Sequence, residues 1–424
     1  MSLKMNVGDT RLENRGDTTI RHRPLIRRLA ASTALMLGVP VLTLGLTVAT
    51  ASASGAGKVT TYTGTGISEP QGITTGPDGA LWFANSANNS IGRITTTGKV
   101  TNYTDPLISY PQAITAGPDG ALWFTNLNRN SIGRITTAGV VSTYTGIGVM
   151  EPEGITTGPD GAMWFTNVGN ESIGRITTAG VITNYTGPGI NYPYEITAGP
   201  DGALWFTNLY GDTIGRITTA GVVTYYTDAS INSPEAITAG SDGALWFTNG
   251  HGADYGSIGR ITTDGVVTAY STGVGDAFGI TEGPDGALWF STYTNTTIGR
   301  ITTSGHATFY GTAVVGEWGI AAGSDGAMWF TDFWGTSIDR ITTTVTPQIY
   351  TITPKSGAIG ARVTITGRNL AGATQVAFNS TPATILSDTA TKIVVRVPAG
   401  ATRGHITVTT RAGTATSKGA FRLR

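Results

Sequence analysis

From residue 57 onward the chain runs in short apolar bursts separated by polar turns, with no stretch of helical period. The first unit shows the pattern. An Ile73-Thr74 strand meets Gly76-Pro77-Asp78-Gly79, which has Pro, Asp and Gly where a tight turn wants them. Leu81-Trp82-Phe83 reads as a second strand and Ile91-Gly92-Arg93-Ile94-Thr95 as a third. A turn through Thr97-Gly98 leads into a fourth, Val100-Thr101-Asn102-Tyr103. The near-continuous apolar runs imply sheets covered on both faces, because a half-solvated strand would alternate.

This unit repeats. Asp-Gly-Ala-(Leu/Met)-Trp-Phe starts at Asp78, Asp119, Asp160, Asp201, Asp242, Asp285 and Asp325, at intervals of 41, 41, 41, 41, 43 and 40 residues. Four short strands in a period near 40 predict one propeller blade per repeat. A fourth-type strand, Lys58-Val59-Thr60-Thr61-Tyr62, precedes the first Ile-Thr strand, while the last repeat stops after its third at Ile338-Asp339-Arg340-Ile341. The N-terminal strand is therefore expected to complete the seventh blade and close the ring, removing its free edges.

Composition supports an all-β chain: glycine is abundant (60 residues) and charged residues are few (13%). With no cysteine, disulfides, thiolate metal sites and a cysteine nucleophile are excluded. Charge is divided along the chain. Residues 1–53 hold 7 Lys/Arg and 3 Asp/Glu; 54–345 hold 10 and 23, a net of −13; 346–424 hold 10 and 1, a net of +9. The basic segment is expected either to dock on the acidic one or to seek an anionic partner such as a cell-wall polymer.

Arg21, Arg23, Arg27 and Arg28 precede an apolar stretch from Leu29 to Ala49, and Ala51-Ser52-Ala53 follows. Basic, apolar and small residues in that order read as a secretory signal peptide over 1–53, making the protein secreted. The alternative is an uncleaved N-terminal membrane anchor, since the stretch is about long enough to span; Arg27-Arg28 also allows a twin-arginine route. The expected domains are the signal peptide (1–53), a seven-bladed β-propeller (54–345) and a C-terminal β domain (346–424).

What recurs in all seven repeats reads as scaffold: the turn Asp, the Trp-Phe pair, and Arg93, Arg134, Arg175, Arg216, Arg260, Arg300 and Arg340, which are expected to pair with carboxylates or blade carbonyls. Strand parity puts the two invariant turns of each blade at one end and the variable loops at the other, and the variable end is the candidate face. Entering the first strand there stand Gln71, Gln112, Glu153, Tyr194, Glu235, Phe278 and Trp318. Fourteen residues on stand Asn85, Asn126, Asn167, Asn208, Asn249, Thr292 and Asp332. The last three blades depart furthest, with His251, Asp254 and Tyr255, then Asp276, Glu282 and Tyr293, then Glu317, Phe333 and Trp334. Amides, carboxylates and aromatics together suit a small polar ligand with flat faces, a glycan or a cyclic peptide. The candidate ligand-binding set is Glu153, Tyr194, Glu235, Phe278, Glu282, Trp318, Asp332 and Trp334. Phosphate-binding loops, a nucleophile elbow and paired-His metal motifs are absent. No cofactor is expected from the residues themselves.

Gly72-Ile-Thr-Thr-Gly-Pro-Asp-Gly-Ala-Leu-Trp-Phe83 followed by Ser90-Ile-Gly-Arg-Ile-Thr95 resembles the virginiamycin B (streptogramin B) lyase family over about 57–345. The resemblance implies a propeller, and a magnesium-dependent C–O lyase that linearises streptogramin B-type cyclic depsipeptides by elimination across the ester. It implies catalytic histidines at first-strand entrances of neighbouring blades, with glutamates two residues before and fourteen after one of them. Here no entrance residue is His. Glu69, Glu151 and Asp276 stand two before Gln71, Glu153 and Phe278, and Asp332 stands fourteen after Trp318. No catalytic residue can be carried over, which makes a binding or interaction protein the first expectation and the lyase the alternative. Beyond Thr353, Pro354-Lys355-Ser356-Gly357, Val363–Leu370 and Ile393–Pro398 resemble the IPT/TIG family, implying an immunoglobulin-like sandwich. Its charge would suit nucleic acid in principle, but secretion and the lack of interleaved exposed aromatics argue against it.

Overall fold

In six of the seven repeats the Phe of the Trp-Phe pair pairs across to a third-strand glycine, and in all seven the Trp pairs to the third-strand arginine (Phe83 with Gly92, Trp82 with Arg93); in the seventh, Phe330 meets Asp339. The two large rings thus leave opposite faces of the same strand, as the strand period requires. A computed structural model describes residues 57–250, 256–272, 276–292, 296–312, 316–343, 347–368, 370, 373–389, 391–410 and 413–424. The expected signal segment lies outside the described residues, as do His251, Asp254, Tyr255 and Tyr293. Among the described residues no helix is long and apolar enough to cross a membrane.

Seven four-stranded antiparallel sheets form the blades. Blade 1 is Pro70–Thr75, Leu81–Asn85, Ser90–Ile94 and Val100–Thr104, and the next five repeat that order. Blade 7 has Glu317–Ala322, Met328–Asp332 and Ser337–Ile341, and its fourth strand is Val59–Thr63 from the N-terminal side. Val59 pairs with Ile341 and Thr63 with Ser337. Tyr62 stacks on Trp329 at 5.3 Å, as Tyr103 does on Trp82 at 5.3 Å within blade 1. The closing strand therefore reproduces the packing of an ordinary fourth strand.

The core is a set of seven inter-blade clusters. Trp164 of blade 3 packs with Leu204 and Phe206 of blade 4, and Trp329 of blade 7 with Leu81 and Phe83 of blade 1. All seven Trp of the repeat are fully buried. Burying one such side chain contributes on the order of 3 kcal/mol, so the ring is held by contacts between neighbours.

The recurring polar residues hold the invariant turns. In blade 3, Asp160 accepts from Trp164 Nε1 (3.0 Å), from Ala162 N (3.3 Å) and from Arg175 Nε (2.6 Å). Burial opposes ionisation of Asp160, but these bonds outweigh it and hold the carboxyl below its ordinary range. The Arg175 guanidinium also lies 5.9 Å from the Trp164 ring centre. The Asp–Arg pair recurs in all seven blades, so the arginines are scaffold as the sequence suggests.

Residues 347–424 form a separate two-sheet sandwich. One sheet runs Gln348–Thr353, Arg362–Arg368, Lys392–Arg396, Ile385–Asp388; the other runs Ser356–Gly357, Gly413–Leu423, Gly404–Thr410, Gln375–Phe378, Thr381–Ala383. Val363, Ile365, Val376, Phe378, Ile393, Ile406, Val408 and Phe421 point inward to one core.

Candidate functional site

The first strands of all seven blades stand around a central channel, and a cavity of about 160 Å³ opens there. Its wall carries Gln112, Glu153, Tyr194, Glu195, Phe278 and Trp318, with Ile and Gly or Ala between them. A β-bulge at each first strand shapes this wall. In blade 4 the register shifts between Pro193 and Ile196, so alternation breaks and both Tyr194 and Glu195 line the cavity.

The bulged strands are tied to one another by hydroxyls. Thr207 Oγ1 accepts from Glu195 N (3.0 Å) and donates to Glu235 O of the next blade (2.7 Å). Thr125, Thr166, Thr248, Ser291 and Thr331 make the same pair of bonds. Blade 1 has Ala84 in this place and lacks the bridge. Ala84→Ser, copying Ser291, is expected to stabilise the ring by about 1 kcal/mol. A urea-unfolding midpoint that does not rise would show that the Gly72 amide and Gln112 carbonyl are satisfied without it.

The structure places the candidate residues in different settings. Glu153, Tyr194, Phe278 and Trp318 share the cavity. Phe278 and Trp318 lie with ring centres 4.1 Å apart, Trp318 and Phe333 5.5 Å, and Phe333 and Trp334 4.9 Å. Trp334 is 51% exposed, so an aromatic ladder climbs from the channel wall to the outer surface.

Glu235 is buried (4% exposed) but points away from the cavity, against Gly250, and its Oε2 has no hydrogen-bond partner among the described residues. Burial, and then the Asp276 charge, push its carboxyl well above the ordinary range. The side chain of Glu317 lies outside the described residues.

Two expectations are corrected. Glu282 ends its first strand beside the Asp285 turn, opposite Leu288, at the invariant end. It stands far along the strand from Phe278 and does not belong to the variable face. The residues fourteen after each entrance are loop pins. Asn208 accepts from Asn191 N (3.0 Å) and donates to Gly189 O (3.0 Å) and Thr213 Oγ1 (2.7 Å). Asn85, Asn126, Asn167 and Asn249 do the same in their own blades. Asp332, 1% exposed, accepts from Gly335 N (2.7 Å) and Ser337 Oγ (3.3 Å), and burial outweighs these bonds to raise its carboxyl. These side chains face the loop, because each ends its strand opposite the residue before the bulge.

Glu195 escaped the sequence reading. Its signal was present: at the position after each entrance the other six blades carry Gly72, Ala113, Gly154, Ala236, Gly279 and Gly319. A Cβ at Gly154 would crowd the Tyr194 carbonyl and Glu195 Cα of the next blade, which is why small residues prevail. A glutamate there departs from a packing rule.

The electrostatics of the wall are one-sided. Burial pushes Glu195 up to about 8, against a hydrogen bond from the Ile196 amide. Burial, and then the charges of Glu195 and Glu151, push Glu153 up to about 8. Tyr194 is raised well above its ordinary value by burial and by Glu153, Glu235 and Glu195. Among the described residues no Lys, Arg or His lines the cavity. Magnesium takes oxygen ligands in near-octahedral array, and among the described residues no three His, Cys, Asp or Glu side chains converge to hold a metal. The described residues do not make a dedicated magnesium cage. A larger open groove of about 470 Å³ between blades 1 and 2, floored by Asn88, Asn89, Thr104 and Asp105, has no such convergence of charged and aromatic groups.

The Virginiamycin B lyase family model matches residues 49–192, 149–310 and 229–373, and the IPT/TIG domain model matches 347–423. A structure described as streptogramin B lyase is 32% identical, covering 68% of this chain and 97% of its own, with a TM-score of 0.63. A catalytically inactive His-to-Ala variant of virginiamycin B lyase from Staphylococcus aureus with quinupristin is 35% identical, covering 67% and 98%, with a TM-score of 0.62. The WD40 β-propeller domain of Doa1, 11% identical at a TM-score of 0.58 over 69% of this chain and 98% of its own, shares the fold. Among curated proteins none matches the chain.

Proposed function

The chain belongs to the virginiamycin B lyase family, and from that premise we propose that it is a secreted propeller that binds a ligand at the mouth of its channel. The observation that carries this reading is the channel wall, where Glu153, Tyr194 and Glu195 meet Phe278 and Trp318 around one cavity. Convergent polar groups on an otherwise apolar concave wall are the general form of a small-molecule site. The ladder from Trp318 to Trp334 extends the surface outward for a glycan or cyclic peptide. The basic C-terminal domain would tether the protein to an anionic cell-wall polymer, its 10 Lys/Arg against 1 acidic residue being the support. Nucleic acid is not part of this reading.

The family reaction is the second reading: a magnesium-dependent C–O lyase acting on streptogramin B-type depsipeptides. One observation favours it. Glu153, held near 8 by burial and its neighbours, is a base poised close to working pH, as proton abstraction beside a carbonyl requires. Among the described residues no His lines the cavity and none offer a magnesium cage, so no step is derived through the metal.

The test is to incubate the full chain with a streptogramin B, first with magnesium and then with chelator, and to follow it by chromatography and mass spectrometry. The binding reading expects unchanged antibiotic. In parallel, glycan and peptide arrays are expected to yield a ligand whose retention falls at least tenfold in Trp318→Leu. A linear product of unchanged mass that needs magnesium would replace the binding reading with the lyase.

A further inference from the structure

The channel mouth is chemically two-sided. Around a seven-blade ring, blades 3 and 4 stand across from blades 6 and 7. Glu153 and Glu195 therefore face Phe278 and Trp318 over a cavity of about 160 Å³. That is about five water volumes at ~30 Å³ each, the size of a headgroup. A longer ligand would continue along Phe333 and Trp334.

Among the described residues no cation faces the acidic side. The Glu153 carboxyl has no hydrogen bond from any described residue. The groups that face it are Glu151 on its own blade, Tyr110 from blade 2, and Tyr192, Tyr194 and Glu195 from blade 4. Glu235 of blade 5 faces Tyr194 in turn. All are acidic or neutral. Two carboxyls enclosed together disfavour each other's charge, and only a partner of opposite charge removes both the repulsion and the burial penalty. An aromatic wall opposite adds ring faces that attract a cation and accept its carbon substituents.

We propose that the channel mouth binds a small organic cation, with its ammonium nitrogen between Glu153 and Glu195 and its alkyl groups against Phe278 and Trp318. This deepens the binding reading and rests on it. A bare divalent ion would use the carboxylates and leave the aromatic wall without a role. Because both carboxyls hold protons up to about pH 8, a cation of single charge must displace one proton to bind at neutral pH. Its affinity then rises with pH and levels off above about 8.

Isothermal titration of the full chain with choline, its neutral isostere 3,3-dimethylbutan-1-ol, and magnesium tests this. Choline is expected to bind at least tenfold tighter than the isostere. It is expected to release protons at pH 7, seen as a buffer-dependent heat, and to tighten about tenfold between pH 7 and pH 9. Glu195→Gln is expected to weaken choline at least tenfold and leave the isostere unchanged. Trp318→Leu is expected to weaken both, with circular dichroism confirming the fold of each variant. Equal affinity for choline and its isostere overturns the cation assignment while leaving the binding site in place. Magnesium binding that choline does not displace overturns it in favour of a metal. Failure of all three, with a Trp318-dependent array ligand found, overturns the inference alone; failure of both experiments overturns the binding reading as well.

Discussion

Glu195→Gln is expected to make the protein more stable at pH 9 by a few kcal/mol and to change little at pH 4. Glu195 is pushed up to about 8 from an ordinary 4.5 because it is enclosed in the channel wall. In the unfolded chain it loses its proton near 4.5; in the folded chain it keeps it to about 8. Between those values the folded state binds more protons, so stability falls as pH rises. The favourable contribution is complete below pH 4.5 and gone above about 8. At 1.36 kcal/mol per tenfold, the full swing is at most about 5 kcal/mol, and the half-buried setting of Glu195 screens it to a few. Glutamine keeps the shape and carries no proton to lose. Its presence also relieves Glu153, whose carboxyl is raised partly by the Glu195 charge, so the remaining acid should titrate lower. Urea midpoints at pH 4 and pH 9 measure the effect. A midpoint shift equal at both pH values would mean that Glu195 titrates alike in the folded and unfolded chain, and that the wall is not the strained acidic surface described. A stabilising substitution that weakens cation binding is the trade expected of a group kept for function.

The fold was legible because one unit is written seven times. A single Asp-Gly-Ala-Leu-Trp-Phe run fits many β folds; seven at a near-constant interval fit a ring. The unpaired strand at 58–62 and the missing strand after Ile341 then fix the closure, seen in the Val59–Ile341 register. The site was legible only in part, for a local reason. Strand parity separates the two ends of each blade but says nothing about the bulge. There Tyr194 and Glu195 both face the channel, whereas strict alternation would send one away. The same error promoted Asn208 and Asp332, whose sequence offset is constant but whose side chains serve the adjoining loops. Glu282 was misplaced for a plainer reason: it shares a strand with Phe278 but sits at the other end. Departure from the repeat marks a residue as free to serve something else, and only backbone geometry says where it points.

The six glycines of the third strands and the seven of the Asp-Gly turns look alike in the sequence, but the same substitution separates them. Gly174→Ala is expected to destabilise blade 3 by about 3 kcal/mol or more, because its Cβ would overlap the Phe165 ring paired across from it. Phe165 is fully buried with Trp123 and Ile132 of blade 2, so the ring has nowhere to swing. Gly161→Ala meets open space; its penalty is the positive φ of 73° alone, about 1 kcal/mol. Blade 7 is the exception. There the third-strand glycine is replaced by Asp339, fully buried, with its carboxyl bonded to Ser337 Oγ (2.7 Å) and to Thr61 Oγ1 of the closing strand. The glycine is given up only in the blade whose fourth strand comes from the other end of the chain. Paired urea titrations of the two alanine variants decide the matter. Similar losses would mean that the glycines serve backbone freedom in both places, and that the flat Phe-on-Gly contact is not what sets the spacing of the strands within each blade.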